Sequence, residues 1–208
     1  MTPAEYIARQ LRKPSGWFGK QVTARLLNRL NEPINTKTLD LLAVQPADRV
    51  LEVGFGGGDL IGRIAEHAVD GFVAGVDFSP EMVERCAGRY RALVEVGRMA
   101  FRCANAEALP YPDGHFDKIC TVNTLYFWPR PEKTVKKVAD LLIPGGKLII
   151  AFEDIKQLQQ RKLSEDIFQL YAQEDVENLL RNAGFSGDVR IESRTKGKLI
   201  FHCAVAIK

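Results

Sequence analysis

The chain has 208 residues, 46% hydrophobic and 26% charged, with a net charge of +3. That length and balance predict one domain with a substantial core and exclude a disordered chain. The absence of a bilayer-length apolar run and of a signal-peptide pattern gives a cytoplasmic expectation, and the scattered Cys86, Cys103, Cys120, Cys203, His67, His115 and His202 predict reduced thiols and no metal site.

The first 31 residues hold Arg9, Arg12, Lys13, Lys20, Arg25 and Arg29 against Glu5 alone, a local charge of +5. A helix over 3–12, a break at Lys13-Pro14-Ser15-Gly16 and a second helix over 19–30 are predicted, with Trp17 and Phe18 just after the break. Such a basic, aromatic segment suits three uses: a solvated face packed on the core, a lid over a site, or peripheral contact with an anionic membrane surface. A further helix from Asn35 to Ala43 leads through Gln45-Pro46-Ala47-Asp48 into the first strand. Residues 1–47 therefore read as a helical N-terminal extension and 48–208 as the main domain.

From residue 49 strands and helices alternate: strand 49–53, helix 58–68, strand 72–77, helix 80–93, strands 99–103 and 117–122, helix 131–141 and strand 146–152. This alternation predicts an α/β fold, a doubly wound parallel sheet covered by helices on both faces. A helix over 174–182 stopped by Gly184, then strands over 188–194 and 198–207, predict a closing antiparallel hairpin.

The stretch Val50-Leu51-Glu52-Val53-Gly54-Phe55-Gly56-Gly57-Gly58-Asp59 reads as a strand, a glycine turn and a helix start, which places backbone N–H groups beside a ligand. A dinucleotide fingerprint aligned on Gly54 and Gly56 requires Gly or Ala at position 59, where this chain has Asp59. At the end of the second strand Asp77 is placed to accept both hydroxyls of a ribose, which suits any adenosine cofactor, and Ser79 is placed to cap the next helix ahead of Pro80.

The pattern acidic-x-Gly-x-Gly-x-Gly, formed by Glu52, Gly54, Gly56 and Gly58, resembles the first motif of the class I S-adenosylmethionine-dependent methyltransferases. The stretch Phe101 to Asp117 resembles the same family's G-D-A-x-x-L-P-F-x-D-x-x-F-D segment, departing from it at Ala104 and Asn105, and Leu142-Ile143-Pro144-Gly145-Gly146 resembles its L-x-P-G-G turn. The resemblance implies a Rossmann-like seven-stranded sheet. It implies S-adenosylmethionine as cofactor and S-adenosylhomocysteine as product, with glycines that approach the methionine part and Glu52 near its amino group. Asp77 would hold the ribose, Phe78 would lie against the adenine, and Asn105 and Ala106 would meet its edge. Asn123, at the end of the fourth strand, would lie beside the transferable methyl group.

The implied reaction is in-line displacement of a methyl group, in which the protein supplies alignment and excludes water. Trp17, Tyr126 and Trp128 are candidates for the pocket of a small or lipid-like acceptor. Tyr126, His115 and Glu153 are candidate general bases, and no catalytic residue is singled out. Asn123-Thr124-Leu125-Tyr126 lacks the two prolines of the (D/N)-P-P-(Y/F/W) motif, which argues against nucleic-acid acceptors. Two alternatives stay open: a module that binds S-adenosylmethionine without turnover, and an NAD-linked oxidoreductase.

Overall fold

The computed structural model describes residues 31–160, 169–185 and 187–208. The helices expected over 3–12 and 19–30, and Trp17, lie outside the described residues. Residues 31–42 are helical (α1). They are followed by β1 (Arg49–Val53), α2 (Asp59–His67), β2 (Phe72–Asp77), α3 (Pro80–Arg89), α4 (Arg91–Glu95), β3 (Met99–Cys103) and β4 (Phe116–Val122). The chain continues through α5 (Pro131–Leu141), β5 (Leu142–Glu153), α6 (Ile155–Gln160), α7 (Gln173–Asn182), β6 (Val189–Lys196) and β7 (Leu199–Ile207).

The strands form one seven-stranded sheet in the order β3-β2-β1-β4-β5-β7-β6. Strands β1 to β5 pair in parallel, and β7 pairs antiparallel with both β5 and β6. The central strands carry apolar side chains toward both faces because both faces are covered. On one face Leu51, Ile119, Leu148 and Ile150 pack with Val135 and Val138 of α5 and Val176 and Leu180 of α7. On the other, Val50, Val73 and Ile149 pack with Ile34 and Leu42 of α1, Ile61 and Ile64 of α2 and Met82 of α3. Each fully buried side chain of this size contributes roughly 1.5–3 kcal/mol. Gly75 lets α2 and the turn after β1 pack closely on β2, since a Cβ there would lie 2.7 Å from both Ile61 and Phe55.

Two lysines fix α1 to the base of the sheet. Lys147 of β5 donates to the carbonyls of Leu41 and Leu42, and Lys118 of β4 donates to that of Ala43 at 2.7 Å and pairs with Asp48. These carbonyls end a helix, where a cation is favourable and unpaired acceptors need partners. Among the described residues, no helix is long and apolar enough to cross a membrane.

Three expectations about elements are corrected. The helix expected over 80–93 breaks at Tyr90, and the chain resumes as α4. The helix expected from Asn35 is already formed at residue 31. Pro144, Gly145 and Gly146 do not separate α5 from β5: the strand begins at Leu142, opposite Phe116, and its register then slips so that Lys147 faces Lys118. The extra residues form a bulge that the chain's last residue closes, since Lys208 accepts the Gly145 N–H and donates to the Gly146 carbonyl, both at 2.9 Å.

Candidate functional site

In this strand order the connections leave β1 in one direction and β4 in the other. That switch point opens a crevice at the carboxyl ends of the strands, where ligands bind in open α/β sheets. The glycine turn lies on one side of the crevice. Gly54 extends the ladder by donating to the carbonyl of Val76 at 2.7 Å. Its φ of +76° is left-handed, and a Cβ would lie 2.3 Å from a methyl group of Thr124, so only glycine fits between the two loops.

Glu52 is 3% exposed, and the backbone N–H of Ile61 donates to its carboxylate. Its Oε2 is buried without a hydrogen-bond partner among the described residues. Burial, with the negative charges of Asp77 and Asp59 nearby, pushes its carboxyl up to about 8. The carboxylate of Asp77 accepts the N–H of Gly56 at 3.0 Å on one oxygen and that of Ser79 at 2.9 Å on the other. Burial raises its pKa, while those N–H groups and that of Phe78 pull it back. Ser79 caps α3 through its hydroxyl, which accepts the Met82 N–H at 3.4 Å. Phe78 stands at the rim with 42% of its surface exposed.

The loop after β3 is anchored to Asp77, whose carbonyl accepts the Ala104 N–H at 3.1 Å. Asn105 Oδ1 accepts the Glu107 N–H at 3.0 Å, so the side chain expected at the adenine edge also caps the short turn Ala106–Ala108. Glu107 in turn pairs with Arg130 at the start of α5. The hydrogen bond from Arg130 holds the Glu107 carboxyl below its ordinary range.

Asn123 follows β4 with a left-handed φ of +54°, its N–H donating to Ala151 at 2.9 Å. Its side-chain amide donates to Asn31 Oδ1 of α1 at 3.1 Å, and its Oδ1 accepts the Tyr126 hydroxyl at 3.2 Å. Tyr126 also accepts the N–H of Glu153 at 2.5 Å. A second asparagine of α1, Asn35, donates to Asp59 Oδ2 at 3.4 Å. Asn31 and Asn35 are one helical turn apart and so touch both sides of the crevice.

The structure thus gathers Glu52, Gly54, Gly56, Gly58, Asp77, Phe78, Asn105, Ala106 and Asn123 at one edge of the sheet. Tyr126 and Trp128 are buried and pack within the core. His115 is not at this edge: it lies at the opposite end of the sheet, bonded to Arg49 at the start of β1 and stacked on Tyr111. That placement removes it as a base for chemistry at the glycine turn. Asn31, Asn35, Arg89 and Tyr90 carry no motif and escaped the sequence reading.

Arg89 and Tyr90 belong to a set of three α3 contacts on the turn. Cys86 Sγ lies 3.8 Å from the Gly56 carbonyl, Arg89 Nη1 donates to that of Gly57 at 3.3 Å, and the Tyr90 hydroxyl donates to that of Gly58 at 2.6 Å. Burial pushes the Cys86 thiol and the Tyr90 phenol up to about 12, so both keep the proton that they donate.

A family model described as a methyltransferase domain matches residues 51–150, the span from β1 into β5 that builds this crevice. Over this span the chain is similar to the class I S-adenosylmethionine-dependent methyltransferases. It is 34% identical over 132 residues to the 27-O-demethylrifamycin SV methyltransferase of Amycolatopsis mediterranei, a match covering 63% of this chain and 45% of that protein. It is 31% identical over 137 residues to the ubiquinone/menaquinone biosynthesis C-methyltransferase UbiE of a Shewanella species, covering 65% and 53%. The chain thus spans about half the length of these curated methyltransferases. A solved S-adenosylmethionine-dependent methyltransferase of Aquifex aeolicus shares the fold, with a TM-score of 0.65 at 21% identity, over 83% of this chain and 88% of that one. The cofactor of this methyltransferase class is S-adenosylmethionine.

Proposed function

We propose that the protein transfers a methyl group from S-adenosylmethionine to a small or lipid-like acceptor. The observation that carries the reading is Glu52 Oε2, a buried carboxylate oxygen without a partner among the described residues, set beside a turn whose neighbour Asp77 is already aligned by two N–H groups. A buried carboxylate is costly unless it meets a cation, and the cofactor's ammonium group is one of the right kind. Each Asp77 oxygen keeps a lone pair after accepting one N–H, enough for the two hydroxyls of a ribose. Phe78 offers an exposed ring for the adenine, and Asn105 and Ala106 lie in the adjoining loop.

When bound, the cofactor supplies an activated methyl group on a positively charged sulfur, open to in-line displacement by a nucleophile of the acceptor. The chain's own residues then bind, orient and exclude water, and orientation alone lowers such barriers by roughly 7–11 kcal/mol. Asn123, fixed by Asn31, Tyr126 and the Ala151 carbonyl, presents a constrained backbone where the acceptor approaches. The small-molecule and quinone names of the relatives support an acceptor of that kind. The basic segment before residue 31 is suited to peripheral contact with the membrane surface where lipid-like acceptors reside.

The test is calorimetric titration of the full chain with S-adenosylmethionine, S-adenosylhomocysteine and NAD, followed by methyl-transfer assays on quinols and phenolic small molecules. Binding of both adenosyl ligands and not NAD, with label transferred to an acceptor, supports the reading. Binding without transfer to any acceptor favours a non-catalytic module, and binding of NAD alone overturns the assignment.

A further inference from the structure

We propose that Tyr90 is a positioning residue for the cofactor: with Cys86 and Arg89 it anchors three successive carbonyls of the glycine turn to α3, holding the turn in its binding conformation before ligand arrives. The inference rests on the cofactor reading above and assigns a role to residues outside its motifs.

Cys86 lies about one helical turn before Arg89, the last residue of α3, and before Tyr90, its C-cap, so this end of the helix meets the turn. Their donors reach the carbonyls of Gly56, Gly57 and Gly58 in sequence order. In a trans peptide the carbonyl of one residue and the N–H of the next point in opposite directions. Drawing the Gly56 and Gly58 carbonyls toward α3 therefore turns the N–H groups of Gly57 and Asp59 away from it, and Asp59 opens α2 with its positive end.

Tyr90 is the best fixed of the three. Its ring stacks on Phe101 at 6.1 Å, and the Arg89 guanidinium lies over the ring at 5.0 Å from its centre. The turn is shaped to receive it: a Cβ at Gly62 would lie 2.1 Å from its hydroxyl, and a Cβ at Gly58 would lie 2.5 Å from Cys86 Sγ. Glycines at 58 and 62 leave room for α3 to seat on the turn. Without the anchors the glycines regain backbone freedom, and a ligand contacting them must supply the ordering itself.

The test compares two ligands on the full chain by calorimetry. S-adenosylhomocysteine carries the amino-acid part that the glycine turn would hold, and 5′-methylthioadenosine has the same nucleoside and thioether without it. Tyr90→Phe removes a single oxygen and is expected to weaken S-adenosylhomocysteine about five- to tenfold, the worth of one hydrogen bond, while 5′-methylthioadenosine stays within about twofold. Arg89→Met, at the surface side of the same contact, should shift the two ligands apart in the same direction, and thermal melts of both variants should stay cooperative. Equal weakening of both ligands is the signature of general loosening and overturns the positioning role. Unchanged S-adenosylhomocysteine binding in both variants overturns it as well. Wild-type protein that binds neither ligand would instead overturn the cofactor reading on which this inference stands.

Discussion

Asp77 Oδ2 accepts the backbone N–H of Gly56 at 3.0 Å, which ties the end of β2 to the turn that leaves β1. The same carboxylate takes the Ser79 N–H on its other oxygen, so one side chain orders two loops and the cap of α3. Replacing Asp77 with Ala leaves the buried Ser79 donor and the partly buried Gly56 donor without this acceptor, at about 1–3 kcal/mol each. Urea unfolding of Asp77→Ala should show a loss of about 2–5 kcal/mol, and calorimetry should show no binding of S-adenosylhomocysteine. Asp77→Asn, which keeps one acceptor oxygen, should recover part of the stability and little of the binding. Wild-type affinity in the Ala variant would contradict the ribose assignment.

Glu52 sets a pH dependence. Burial first, then the charges of Asp77 and Asp59, hold its carboxyl at about 8 against an ordinary 4.5. The folded protein thus keeps a proton that the unfolded chain releases near 4.5. The stability linked to that proton is complete at low pH and is lost as the pH rises through the interval from about 4.5 to 8. Glu52→Gln should flatten that slope in unfolding measurements across the interval. Pairing with a ligand ammonium requires the ionised form, so S-adenosylhomocysteine affinity should climb as the pH approaches 8. Titrations at pH 7 in buffers of different ionisation heat should register proton release, and their absence would place the ammonium elsewhere.

Gly54 and Thr124 form a steric pair across the crevice. Gly54→Ala should cost about 1–2 kcal/mol for the left-handed backbone and about 1–3 more for the methyl group forced against Thr124. Thr124→Ser removes the methyl that the new Cβ meets and keeps the hydroxyl partner of Thr121. In the double variant the packing share of the loss should return and the backbone share should remain. A cycle of four melting curves measures the coupling, and strict additivity would refute the contact.

A separate acid-sensitive pair lies beyond β5. His202 of β7 is buried, lies 3.1 Å from Asp154 Oδ2, and bonds Ser193 of β6 through its other ring nitrogen at 2.8 Å. Burial pushes the Asp154 carboxyl up, but the hydrogen bond from His202 and the N–H groups of Lys156 and Gln157 outweigh it and hold it below its ordinary range. Its contribution is therefore present above its ordinary value and lost as the pH falls through the lower folded one. Asp154→Asn should be less stable than wild type at neutral pH and should show a shallower loss on acidification. Chemical denaturation from pH 6 down to pH 2 distinguishes the two slopes.

The sheet and most helix bounds were legible because apolar runs bounded by glycine, proline and polar turns specify strands, and Ser79-Pro80 and Arg130-Pro131 mark helix starts. The Pro144-Gly145-Gly146 segment misled because punctuation residues mark a bulge as readily as a boundary, and only the pairing with Lys208 decides. The glycine turn was legible because its left-handed backbone calls for glycine, and Asp77 and Asn123 because they stand at the carboxyl ends of strands. The contacts from Asn31, Asn35 and Tyr90 were not, since a hydrogen bond between distant segments leaves no periodicity in either. His115 was misplaced because the loop that follows β3 runs the length of the sheet, and sequence order does not say at which end a residue on it comes to rest.

The central place of β1 also governs the order in which the molecule can assemble. Its seam with β2 joins neighbouring segments, whereas its seam with β4 joins residues 68 apart, as in the bond from Thr121 Oγ1 to the Val53 carbonyl. Closing so long a loop carries an entropic cost that local pairings do not, and it delays such contacts during folding. The glycine turn belongs to the first seam, and Asn123 and Thr124 belong to the second. A ligand that touches both finds its site only after the late seam has closed, so it stabilises the completed chain and no half-formed intermediate.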